Sequence, residues 1–227
     1  MRKLYYVPTV HTEMDLGSLG TSIGSKGRAI AGEKRWKDHQ QTVSRFWDLV
    51  ADYFMGMDVE GLKVYQDGLM ADGELGMNIV HKVATDGSKN YRLILELVDR
   101  GAKLMKTESE ELLIKEYKRI LELSKAKSLP RKSAALVKYR LGKKELTRKR
   151  DIFIAMTING TLEEGEKGAI FIGAYHDIPS GLSADIEVVQ LKNREKLLEY
   201  MKEVAIGRNE GRLRELALYA ASPIPVA

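Results

Sequence analysis

The 227-residue chain contains no cysteine. A disulfide framework, a thiolate nucleophile and a thiolate metal site are therefore excluded, and any metal would have to be held by imidazole, carboxylate or water. Histidine is scarce, at four residues, and proline numbers five. No apolar run approaches the ~20 residues needed to cross a bilayer, and the Arg2-Lys3 pair is not followed by a long apolar stretch with a small-residue cleavage site. No membrane partner is expected, and a cytoplasmic location is. The zinc-protease pattern H-E-x-x-H and the serine-hydrolase pattern G-x-S-x-G are also missing.

What is present suits a globular core: hydrophobic residues make up 44% of the chain, enough for one large α/β domain over 1–227. The net charge of +5 is unevenly placed. Eleven Lys/Arg against one acid, Glu145, lie between Lys125 and Arg150, a basic segment read as a helical hairpin or mobile flap within the domain. Such a stripe neutralises phosphates, but its one aromatic residue, Tyr139, offers no stacking platform. Weak, sequence-independent nucleic-acid binding is the most it suggests.

Strand-like runs alternate with helical patterns along the chain. Tyr5–Val10, "LKVYQDG", "AKLMKT", Ala169–Tyr175 and "IEVVQL" read as strands. Between them, Val43, Phe46, Trp47, Val50 and Phe54 recur at helical spacing, as do the apolar residues of 77–84, 91–98, "SEELLIKEYKRILEL", "RKRDIFIAMTINGTL" and "NREKLLEYMKEV". In the fifteen-residue pattern, Leu112, Leu113, Tyr117, Ile120 and Leu121 are expected inward. Strands separated by helices imply a mainly parallel central sheet flanked by helices. "GSLGTSIGSKGRAIAG" does not fit the phosphate-loop pattern and reads as a glycine-punctuated loop, a lid over the sheet edge. The Trp36, Phe46 and Trp47 cluster suits core or a subunit interface, His39 and His81 suit the surface, and the terminal "ASPIPVA" suits a segment draped over a neighbour. A homo-oligomer is therefore an expectation.

In an open parallel sheet, ligands sit beyond the carboxyl ends of the strands. His11, Asp67 and His176 all occupy such ends. In an extended "HTE", His11 and Glu13 point to the same side, and Asp15 joins them only if the loop turns. With His176 and Asp177, the rim offers two imidazoles and at least two carboxylates. His11, Glu13, His176 and Asp177 are therefore the candidate ligands of a divalent metal (Mn, Zn, Fe or Co) carrying an activated water. Without a metal, the same residues form acid–base machinery. Spacing leaves both open. Arg28 and Arg150 could orient an anionic substrate.

"YYVPTVH", "RDIFIAMTI" and "AIFIGAYHDIPSGL" resemble, in that order, segments of the TraB/Tiki branch of the erythromycin esterase/ChaN-like superfamily. That branch carries G-x-x-H at the end of the first strand, an Arg-Asp pair opening a helix, and a second G-x-x-H before a Gly-containing turn. Arg150-Asp151 and Gly173-Ala174-Tyr175-His176 fit, whereas Pro8 stands where the first motif has Gly. The resemblance covers about forty residues. It implies an α/β fold with one shared site at the sheet rim, in a superfamily that includes esterases, haem-binding proteins and proteins regarded as metal-dependent proteases. The expectation is a hydrolase-like enzyme acting on a small anionic or ester/amide substrate through His11, Glu13, Arg150, His176 and Asp177. Its alternatives are a non-catalytic module binding a small anion at that rim and a nucleic-acid-associated protein.

Overall fold

A computed structural model describes residues 1–15, 20–125 and 129–225, without the side chains of 21–23, 26, 123–125 and 129–141. Five strands form one sheet, all parallel, in the order β3-β2-β4-β1-β5. They are β1 (Arg2–Thr9), β2 (Lys63–Gln66), β3 (Lys103–Met105), β4 (Lys167–Gly173) and β5 (Ile186–Gln190). The helices among the described residues are α1 (Gly20–Ala31), α2 (Glu33–Met55), α3 (Gly73–Thr85), α4 (Lys89–Asp99), α5 (Glu110–Lys125), α6 (Leu129–Thr161), α7 (Arg194–Ile206) and α8 (Glu210–Ala220). None is long and apolar enough to cross a membrane.

Alternation along the strands builds two cores. Tyr5, Val7, Ala169 and Phe171 pack with α2, α3, α4, α7 and α8 on one face of the sheet. Leu4, Tyr6, Ile170 and Ile172 pack with Ile154, Ala155 and Ile158 of α6, and with Leu162 just after it, on the other. Because β1 and β4 are covered on both faces, their sequences read as near-continuous apolar runs. All five residues expected to face inward from α2 are buried. Ser88 caps α4 by accepting a hydrogen bond from the Tyr91 N–H, and the positive φ of Gly101 takes the chain out of that helix.

Four expectations are corrected. The glycine-punctuated loop is a helix from Gly20 onward, while 16–19 lie outside the described residues. Gly20, Gly24 and Gly27 recur at helical spacing, and a Cβ at these positions would collide with the Glu13 backbone, the Glu13 carboxylate and the Trp36 ring respectively. Close approach offsets the helix-weakening entropy of glycine. Second, α5 packs on α6 instead of the sheet: Leu112, Leu113, Ile120 and Leu121 are half-buried and Tyr117 is exposed. Third, His39 is half-buried and its Nδ1 lies 3.0 Å from the Tyr200 hydroxyl, whereas His81 is exposed as expected. Fourth, the C-terminal segment folds back on its own chain. Lys192 Nζ donates to the carbonyls of Tyr219 and Ser222, and Ile224 is buried in the larger core. α8 gave no separate sequence signal.

The basic segment is not an independent hairpin from 129 onward, because it forms the first two-thirds of α6; 126–128 and the side chains through 141 lie outside the described residues. The second part of α6 lies against the sheet, so Ile158→Ala should open a cavity and lower unfolding stability by about 2–5 kcal/mol. Met156→Ala, two residues away but exposed, should change it by less than about 0.5 kcal/mol. Denaturant titrations of both variants check this, and similar effects would mean that α6 does not seat as described.

Candidate active site

Three adjacent strands deliver the site. In the order β2-β4-β1, their carboxyl ends lead into Asp67, the Gly173–His176 turn and His11. Pairing brings Thr9 beside Gly173, and the Asp67 N–H donates to the Phe171 carbonyl at 2.9 Å. The three residues expected at one rim thus meet.

Asp67 is the centre. Its Oδ1 accepts from Arg150 at 2.7 Å, and its Oδ2 accepts from the Gly173 N–H at 3.0 Å and lies 3.2 Å from His11 Nε2. His176 Nε2 is 4.0 Å from the same Oδ2. The two Nε2 atoms can therefore be no farther apart than those last two distances combined. Burial alone would raise the pKa of Asp67, but the Arg150 guanidinium and the two imidazoles outweigh it and hold the carboxyl well below its usual range. The reverse competition acts on His11: burial disfavours its charge, yet the bond to Asp67 prevails and its pKa is raised above 6.5.

His176 has a second carboxylate. Asp151 Oδ1 lies 2.5 Å from His176 Nδ1, and its Oδ2 accepts from the Asp177 N–H at 3.2 Å. With Asp151 ionised, this fixes Nδ1 as the protonated nitrogen and leaves Nε2 directed toward Asp67. The turn that carries the imidazole is itself fixed. The His176 N–H donates to the Gly173 carbonyl at 2.9 Å, and Tyr6, buried under the sheet rim, donates its hydroxyl proton to the His176 carbonyl at 3.0 Å.

Arg150 is part of the frame. It is buried and donates to Asp67, to both oxygens of Glu108 and to Glu116, the last at 2.5 Å. Its guanidinium is thus occupied by three carboxylates, which corrects the expectation that it grips an anionic substrate. It also sits within α6, whereas the resemblance implied a helix that opens at the Arg-Asp pair. Glu108, fully buried, has its pKa pushed up to about 7 by that burial, against the opposing pull of Arg150.

Two other expected site residues lie apart from this centre. Residues 12–15 form a turn instead of continuing the strand: the Thr12 N–H donates to Asp15 Oδ2 at 2.7 Å, and Ser88 bonds the other oxygen. Strict side-chain alternation therefore ends at His11. The Glu13 carboxylate is taken by Trp36 Nε1 at 3.1 Å and Gln40 at 3.4 Å, with Arg28 at 3.6 Å. Asp177 is half-exposed, its carboxylate 4.0 Å from Arg194, so Asp151 is the carboxylate on His176. His11, Glu13, His176 and Asp177 do not form a ligand shell, and no three His, Asp or Glu side chains among the described residues are placed to hold a metal ion.

The sequence does not single out Asp151, Glu108 or Glu116 as site residues. Asp151 carried a signal, the Arg-Asp pair itself. Glu108 lies in the short link between β3 and α5 and Glu116 within α5, and both are recruited only because those elements bring them to Arg150. No protein-family model, curated protein or solved structure matches the chain.

Gly173 has a tight role. A Cβ there would stand 2.8 Å from His11 Nε2 and 3.3 Å from Asp67 Oδ2. Gly173→Ala should therefore force the His11–Asp67 pair apart, costing about 1–3 kcal/mol, and shift the His11 titration in an NMR pH series. An unmoved titration would mean that the pair does not rest against this backbone.

The site also makes stability fall with rising pH. Glu108 keeps its proton to about pH 7 when folded but only to 4.5 when unfolded, so between those values the folded state binds more protons. His11 acts in the same sense: its contribution is complete below 6.5 and is lost as pH rises through its elevated folded pKa. His39, whose folded pKa is pushed down to about 4 by burial, acts in the opposite sense between 4 and 6.5. The denaturant midpoint should therefore decline from about pH 6.5 to 8, and the midpoint of Glu108→Gln relative to wild type should rise between pH 4.5 and 7. A midpoint rising across the range would contradict these assignments.

Proposed function

We propose that the chain is a hydrolase-like enzyme working by His/carboxylate acid–base chemistry at the carboxyl edge of its sheet. The observation that carries the reading is the approach of two imidazoles to one oxygen of Asp67, with Asp151 setting the tautomer of His176. Buried charge is costly unless it is paired and hydrogen-bonded. A site holding Asp67 and Arg150 in this way, at the edge where parallel sheets present their ligands, suits chemistry better than packing.

In this reading His176 is the general base. Its Nε2 takes a proton from water while the water oxygen bonds to the carbonyl carbon of an ester or amide. The carbonyl π electrons move to oxygen, giving a tetrahedral oxyanion. His11, which Asp67 holds toward its protonated form, supplies positive charge beside that oxyanion. Collapse expels the alcohol or amine with its bonding electrons, and the proton on His176 goes to that leaving group. Asp151 holds and stabilises the imidazolium between the two transfers. Arg150 and Glu108 do not touch the substrate; they keep Asp67 ionised and fixed. A small-anion site is less well supported because Arg150 is already filled by carboxylates.

The test is a panel of neutral esters and amides assayed with the wild type, His176→Ala and Asp151→Asn. Wild-type hydrolysis is expected for at least one class. His176→Ala should lower kcat/KM by about 100-fold or more in a protein that still folds, shown by its circular dichroism spectrum. Full activity in His176→Ala would remove the proposal. The wild-type rate should also fall at alkaline pH as His11 loses its proton.

A further inference from the structure

Two hollows flank His11. One, of about 240 Å³, is lined by Val10, Ile30, Ala174, Tyr175, Met201 and Val204 beside His11 and Gly173. The other, of about 230 Å³, adjoins Thr12, Glu13, Met14 and Val43. Trp36 and His39 border both.

Charge is scarce in the first hollow. His11 and His39 are its titratable side chains apart from the phenol of Tyr175. His39, packed on the Trp36 ring with centroids 5.0 Å apart and bonded to Tyr200, has its pKa pushed down to about 4 by burial and is neutral at ordinary pH. The arginine beside the catalytic carboxylate faces Asp67, Glu108 and Glu116. At the mouth, Ile30 and Tyr175 are exposed, by 65% and 57%, and the Lys143 Nζ stands 4.6 Å from the centroid of the Tyr175 ring. Isolated exposed apolar residues need no explanation, but two at the opening of an apolar hollow that ends on an active-site imidazole share one purpose: covering an apolar ligand removes them from water together.

We infer that this hollow receives the apolar acyl chain of an uncharged ester or amide, with the scissile carbonyl at His11 and Gly173. The inference rests on the hydrolase reading and narrows its substrate class. It replaces the expected anionic substrate with a neutral one, since a carboxylate drawn into the hollow would lose its hydration and meet within its lining only His11, whose charge Asp67 already offsets. Size sets the chain length. An engineered apolar cavity of about 150 Å³ holds benzene, so a hollow of this volume holds about eight to ten carbon atoms.

The probes are 2-decanone, a neutral carbonyl compound that cannot be hydrolysed, and decanoate, of equal chain length but charged. Calorimetry on the full chain should show 2-decanone binding at least tenfold more tightly than decanoate. Ala205 lines the hollow from an exposed position on α7, so Ala205→Trp should fill it without disturbing the core. The variant should bind 2-decanone at least tenfold more weakly at an unchanged melting temperature. No wild-type binding of 2-decanone, equal binding of decanoate, or an unaffected Ala205→Trp variant would each overturn the inference. Hydrolysis separates the two claims. If acetyl and decanoyl esters are both cleaved and Ala205→Trp leaves their kcat/KM ratio unchanged, the hydrolase reading stands and the acyl hollow falls. If Ala205→Trp abolishes 2-decanone binding but the wild type cleaves no ester or amide, the hollow stands as an apolar site and the hydrolase reading falls.

Discussion

A carboxylate taken into a protein interior stays ionised only when its lone pairs are filled by donors, and Asp67 has them from three directions. Arg150 reaches it from α6, His11 from the end of β1, the Gly173 N–H from the end of β4, and His176 stands just beyond hydrogen-bond distance. Each donor belongs to a different segment of the chain. The requirement that they converge ties the sheet order to the course of α6 and to the shape of the Gly173–His176 turn. Removing one donor would leave charge unpaired in a poorly solvated place, which costs far more than an exposed ion pair contributes.

The surrounding network has a direction. Arg150 is shared among three carboxylates, so its charge is divided, and Glu108, the most deeply buried of them, retains its proton to about pH 7. Asp67 stays ionised in that competition and in turn raises the proton affinity of His11. The two histidines thus have different environments despite their matching positions. His11 is biased toward the cation by Asp67, and His176 has its tautomer set by Asp151. Groups driven apart in this way can divide the roles of charge stabiliser and base.

Much of this was legible in the residues. Long apolar strands and the five-residue apolar stripe of α2 follow from period and composition, and the placement of His11, Asp67 and His176 at strand ends needed only a parallel sheet. What was not legible depended on local turns and on distant partners. Glu13 lost its place because Asp15 bonds back to Thr12 and ends the alternation at His11. The glycines of α1 read as loop because their helix rests on contacts with Glu13 and Trp36 that no local propensity contains. Asp151 was hidden in a helix whose register against β4 is a tertiary fact, and Asp177, adjacent to His176 in sequence, took its place in the reading.

The account stands on Asp67 as an ionised carboxylate that charges His11. The most direct measurement is the pKa of the His11 imidazole, followed by NMR in the wild type and in a folded Asp67→Asn variant. The expected result is a wild-type value above 6.5 and a fall below 6.5 in the variant, where burial and the Arg150 charge are opposed by Asp15 alone. A wild-type value at or below 6.5, or a titration that the substitution leaves in place, would contradict it.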